Sequence, residues 1–130
     1  MNPITEKFEK GCFGELLVQL RLLQYGVQAA PPLKDTGNDL IAIKSDLFRA
    51  IQVKARTLKN NRISIDRIDR KYHILAIVVL DPDCEDYRVK LDNCWIFFLS
   101  ADEAKEQTSF DLNELKPFTL SFDRIEKLFS

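Results

Sequence analysis

The stretch that most constrains this 130-residue chain is ILAIVVL, residues 74–80, an unbroken apolar run closed by Asp81-Pro82. It is far too short to span a membrane, and without polar alternation it reads as a strand covered on both faces. A sheet covered on both faces needs a layer above and a layer below. The run therefore points to an α/β or α+β domain, with a mixed central sheet flanked by helices. CWIFFL, residues 94–99, supplies a further strand. An apolar content of 45% suffices for one core, and no repeat, linker or low-complexity tract divides the chain, so residues 1–130 are expected to form a single domain.

Other elements follow from periodicity. Ile4, Phe8, Phe13, Leu16, Leu17, Leu20 and Leu23 recur at three- and four-residue spacings before Gly26, which predicts an amphipathic helix over 4–25. VQAA, before Pro31-Pro32, suits a brief edge strand. DLIAI (39–43) and LFRAIQVKA (47–55) flank the turn-like Lys44-Ser45-Asp46 and predict a hairpin. The polar, basic stretch 57–72 has weak periodicity, with a short helix expected at 65–71, and 81–93 reads as a loop or hairpin connection. Ser100 and Glu103 predict a capping box opening a short helix over ADEAKEQ. Phe122, Ile125, Leu128 and Phe129 fall on one face of a C-terminal helix over 121–129.

Composition excludes several functions. Nineteen basic residues nearly balance twenty acidic ones, so any electrostatic footprint must be local. Three cysteines, Cys12, Cys84 and Cys94, without a CxxC pair argue against a disulfide scaffold or a cysteine zinc site and read as small core residues. No apolar signal core or membrane-length run is present, so a soluble cytoplasmic protein is expected, with no membrane partner. Neither GxxxxGK nor GxGxxG occurs, which leaves a nucleotide cofactor without support. His73 is the only histidine and reads as structural or exposed rather than as a base.

The chemistry concentrates in GNDLIAIKSDLFRAIQVKAR, residues 37–56. On a strand Gln52, Lys54 and Arg56 share one face, while Ile51, Val53 and Ala55 share the other. Hairpin pairing would bring Asp39 beside Gln52 and Lys54, and Glu15 sits among leucines, where packing alone would not choose a carboxylate. Asp35 and Asp46 read as loop residues. From Lys54 to Lys71 seven basic residues face two acidic ones, a local surplus suited to a phosphate backbone, with Arg56, Lys59 and Arg62 as candidate contacts.

Glu15 in the first helix, GNDL opening one strand and IQVKAR in the next resemble the PD-(D/E)XK (restriction endonuclease-like) nuclease superfamily, over about a third of the chain. The resemblance implies a mixed sheet flanked by helices and magnesium-dependent cleavage of DNA, with Mn2+ able to substitute. Carried over by position, Asp39, Gln52, Lys54 and Glu15 are the catalytic set, and Glu15, Asp39, Gln52 and the Val53 carbonyl the metal ligands. The sequence departs from the pattern twice: Asn38 replaces the proline before Asp39, and Gln52 stands where Glu or Asp is usual. The implied activity is an endonuclease of restriction, resolvase or homing type. One site per chain implies a homodimer or higher homo-oligomer for cutting both strands. Gln52 also motivates the alternative of a catalytically weak or inactive nuclease-fold domain, acting as a DNA-binding or protein-interaction module.

Overall fold

The structure is a computed structural model that describes residues 3–34, 37–80 and 94–130, the first seven of these by backbone alone. Helix α1 (Pro3–Gln24) ends in a Schellman arrangement: Gly26 adopts φ +76°, its N–H donates to the Leu23 carbonyl, and the Val27 N–H donates to that of Leu22, each at 3.0 Å. Its buried face carries Leu17, Val18 and Leu22, whereas Leu16, Leu20 and Leu23, assigned by their spacing to the apolar stripe, are more than half exposed. Gly14 accounts for the difference. A Cβ built there would stand 2.8 Å from the Ala55 Cβ, so the helix docks at its glycine, and the residues three, four and eight places on become the buried ones.

Strands β1 (Gln28–Ala30), β2 (Leu40–Lys44), β3 (Leu47–Thr57), β5 (Ile74–Leu80) and β6 (Trp95–Ser100) form a sheet in the order β1-β2-β3-β5-β6. Only the β3–β5 pair is parallel, in register from Ile51↔Ile74 to Thr57↔Leu80. All seven residues of β5 are buried, as the apolar run predicts. One face packs Ile51, Val53, Ala76 and Val78 beneath α1 and α4 (Phe122–Leu128); the other packs Leu75, Ile77 and Val79 against Ile63, Ile65, Phe110 and Leu115.

The second layer departs from expectation. Residues 65–71 are not helical. Ile63 and Ile65 are buried while Arg62, Ser64 and Asp66 are exposed, and this period of two makes β4 (Arg62–Ser64), paired with β7 (Ser109–Asp111). The turn into β4 sets Asn60 and Asn61 at φ +53° and +64°, a left-handed conformation that asparagine tolerates. Cys12 is exposed and Cys94 half-buried, so neither is a closed core residue; Cys84 and the connection at 81–93 lie outside the described residues. Among the described residues no helix is long and apolar enough to cross a membrane.

The capping box forms, with Ser100 Oγ accepting from the Glu103 N–H at 3.1 Å and Glu103 Oε1 from the Ser100 N–H at 2.9 Å, but helix α2 (Ala101–Ala104) is shorter than the sequence suggests. Glu103 also receives Arg124 of α4 at 2.6 and 3.1 Å, and Arg124 donates to the Phe98 carbonyl at 2.7 Å. Arg124 thus takes an inward position, and Phe122, expected on the buried face, is 62% exposed. Helix α3 (Leu112–Leu115), capped by Asp111, completes the second layer.

Two outcomes follow from this packing. Gly14→Ala destabilises the domain by about 1–2 kcal/mol, because overpacking outweighs the gain in helix propensity. Combined with Ala55→Gly it costs less than the sum of the two, as measured by denaturant titration of the double-mutant cycle. Arg124 holds the Glu103 carboxyl down at about 2, so this pair stabilises the fold above the ordinary carboxylate range and the contribution is lost as pH falls towards that value. Glu103→Gln costs about 3 kcal/mol at neutral pH, with the difference from wild type closing near pH ~2 in thermal melts.

Candidate active site

Strand β3 outruns its partner. Pairing with β2 runs from Lys44↔Leu47 to Leu40↔Ile51, and the Asp39 N–H still donates to the Ile51 carbonyl at 3.1 Å. Continued in register, the ladder would set Asn38 opposite Val53. Instead the Asp39 carboxylate takes that place, its Oδ2 accepting from the Val53 N–H at 2.7 Å. The Val53 carbonyl points to the same edge of β3 as its N–H. Asp39 and Val53 therefore meet where the strand leaves β2 behind.

Glu15 arrives from the other side. It follows Gly14, whose contact with Ala55 seats α1 on β3. Burial pushes the Glu15 carboxyl above its ordinary value, and the negative charge of Asp39 and a hydrogen bond to it push in the same direction. The two predicted carboxylates, Glu15 and Asp39, are thus brought together.

Gln52 is 5% exposed, not on a wet face. Its face of β3 continues onto Leu75 and Ile77 and is covered by the second layer, because the parallel partner is buried on both sides. The Gln52 Nε2 donates to the Gly37 carbonyl at 2.6 Å and to Asn38 Oδ1 at 2.8 Å, which leaves the side-chain oxygen as its lone-pair end. The side chain of Lys54, half-buried and two residues on, makes no hydrogen bond or ion pair among the described residues.

Three residues beyond the sequence-derived set belong to this corner. Asn38 bridges Gln52 and the backbone, its Nδ2 donating to the Lys71 carbonyl at 3.3 Å. Gly37 adopts φ +86°, and the Arg70 guanidinium fills the space a side chain there would need. Gly-Asn before Asp39 is a legible turn signal, but nothing local in the sequence couples it to Arg70, 33 residues away. Arg56 and Arg62 are engaged within the fold: Arg56 donates to the carbonyls of Ser64 and Ala55 at 3.1 and 2.9 Å, and Arg62 to Ser109 Oγ at 3.0 and 3.2 Å. Lys59 is exposed.

No group of three or more His, Cys, Asp or Glu side chains suited to a metal ion occurs among the described residues. The crowded pair Glu15 and Asp39 nevertheless presents the charge that a divalent cation relieves, and two carboxylates with neutral oxygens suit a magnesium ion that keeps several waters.

No protein-family model matches the sequence, and no curated protein matches it significantly. Among solved structures, the bacterial homing endonuclease I-Ssp6803I resembles this chain with a TM-score of 0.55 at 16% identity, over 79% of this chain and 75% of that one. The fold is restriction endonuclease-like. Within a restriction endonuclease-like core, Glu15 comes from the first helix, Asp39 from the entrance to β2, and Gln52, Val53 and Lys54 from β3.

Because the Glu15 pKa is raised, ionising Glu15 weakens the folded state. The penalty is absent below the ordinary carboxylate range and grows as pH rises through the raised value. Glu15→Gln therefore melts at a higher temperature than wild type near neutrality, and the advantage disappears near pH ~4. A variant that melts below wild type at both pH values contradicts the crowding of Glu15 against Asp39.

Proposed function

We propose that the chain is a magnesium-dependent DNA endonuclease that hydrolyses phosphodiester bonds. The observation that carries this reading is the junction of Asp39 with Val53 at the end of the β2–β3 ladder, with Glu15 against it, in a restriction endonuclease-like fold. Glu15, Asp39, the Gln52 side-chain oxygen and the Val53 carbonyl would hold Mg2+, or Mn2+ in its place. Such a cation neutralises phosphate charge and acidifies the attacking water.

The chain's own residues do the rest. Asp39 is fixed by the Val53 N–H, so its second oxygen is set in direction before any ligand arrives. Gln52 holds the Gly37–Asn38 loop and with it the start of β2. Lys54, whose ammonium is committed to no partner among the described residues, orients the attacking water and stabilises charge developing on the phosphoryl oxygens. Cutting a duplex on both strands takes two such sites, hence a homodimer or higher oligomer. Restriction, junction-resolving and homing roles use this same chemistry.

A second reading is favoured by one observation, the commitment of Gln52 Nε2 to two loop acceptors: a nuclease-fold domain that binds DNA or protein, with Gln52 serving as a brace. Incubation with supercoiled, linear and branched DNA in Mg2+ and Mn2+ separates the two. Asp39→Ala and Lys54→Ala are each expected to slow cleavage on the order of 10²-fold or more. Cleavage surviving in both variants removes the site assignment, and DNA binding without cleavage in either metal selects the second reading.

A further inference from the structure

Outside the candidate site, basic side chains gather in a groove of about 610 Å³ between residues 67–73 and residues 101–107. Arg67, which is paired with Asp69 at 3.1 Å, Arg70 and Lys71 line one wall and Lys105 the other, against Asp102 and Glu106. The groove is contiguous with the site. The Arg70 guanidinium lies over Gly37, and the Lys71 carbonyl accepts from Asn38; these two residues lead directly into Asp39. The second wall is fixed to the same sheet end, since the Ala101 N–H donates to the His73 carbonyl at 3.0 Å, while His73 Nδ1 accepts from the Ala50 N–H at 2.8 Å.

The basic residues that the sequence offers as phosphate contacts are differently placed. The Arg56 and Arg62 guanidinium groups are held by Ser64, Ala55 and Ser109 within the fold, and each also lies near an acid, Asp66 at 3.7 Å and Asp111 at 3.9 Å. The Lys71 and Lys105 side chains, by contrast, are exposed and make no hydrogen bond or ion pair among the described residues.

We infer that this groove carries the nucleic-acid backbone: phosphates flanking a bond positioned at Asp39 run past Arg70 and on between Lys71 and Lys105. The inference rests on the reading of the chain as a DNA nuclease, which it deepens by assigning the track to these residues in place of Arg56 and Arg62. Its ligand class is a phosphodiester backbone. Arginine and lysine recognise this as charge and as phosphate oxygens, without reading sequence.

Lys71→Ala and Lys105→Asn are suitable probes. Lys105 adopts φ +52°, where asparagine is tolerated at least as well as lysine, so its charge can be removed without straining the turn. Binding of a fluorescent DNA duplex to the full chain is followed by anisotropy, without divalent metal, from about 50 to 300 mM salt. The slope of log affinity against log salt falls by about one for each probe and by about two for the pair, while Arg56→Gln and Arg62→Gln leave it unchanged. Wild-type slopes in the groove variants, with flattening in Arg56→Gln or Arg62→Gln, overturn the inference and leave the nuclease reading standing if wild type cleaves. A wild-type chain with no salt-dependent affinity for DNA overturns both. Groove-dependent binding without cleavage sustains the track and overturns the cleavage reading alone.

Discussion

The structure depends on the mismatch in length between β3 and β2. β3 has eleven residues and β2 five, and beyond Ile51 the edge of β3 that faced β2 has no strand to pair with. On its other edge β3 continues in parallel register with β5 as far as Thr57, which keeps the overhang within the sheet, buried at Gln52 and Val53 and half-buried from Lys54 to Thr57. A backbone N–H at such a place needs an acceptor, because leaving it unpaired costs as much as a lost hydrogen bond. The Asp39 carboxylate supplies it, and the same demand that completes the ladder fixes an acid at the centre of the candidate site.

A second constraint acts across the sheet. Gly14 lets α1 approach β3 closely enough for the next residue, Glu15, to lie beside Asp39. Two carboxylates held together in a half-buried corner repel one another, an arrangement that weakens the fold and that a cation would relieve. Gln52 occupies the third acidic position of the resembled pattern as a neutral side chain, and its Nε2 braces the loop ahead of Asp39. A carboxylate there would face the Gly37 carbonyl and Asn38 Oδ1 with no proton to offer them, so the glutamine and the loop conformation belong together.

The crossover from β3 to β5 shows how the second layer links to the site. A parallel pair usually returns through a helix. Here the return passes through β4, which pairs with β7, and then through residues 65–73, which carry neither helix nor ladder and lay Arg70 over Gly37. The Glu103–Arg124 pair fastens α2 and α4 to the end of β6, which steadies the opposite wall of the basic groove.

Local pattern determined a good deal by itself. The apolar run at 74–80, the hairpin around Ser45-Asp46, the Gly26 stop and the Ser100–Glu103 capping box each depend on neighbours a few residues away, and each stands where the sequence places it. The candidate acids were legible for the same reason, since a carboxylate at a strand entrance and another among leucines are odd locally. Contacts between distant residues were not. The pairing of β4 with β7, the inward turn of Arg124 and the exposure of Leu16, Leu20 and Leu23 follow from which surfaces meet, and a single glycine against Ala55 selects the docked face of α1. The burial of Gln52 was likewise decided by tertiary structure: alternation marks two faces of a strand, but only the parallel partner and the layer beyond it determine that both are covered.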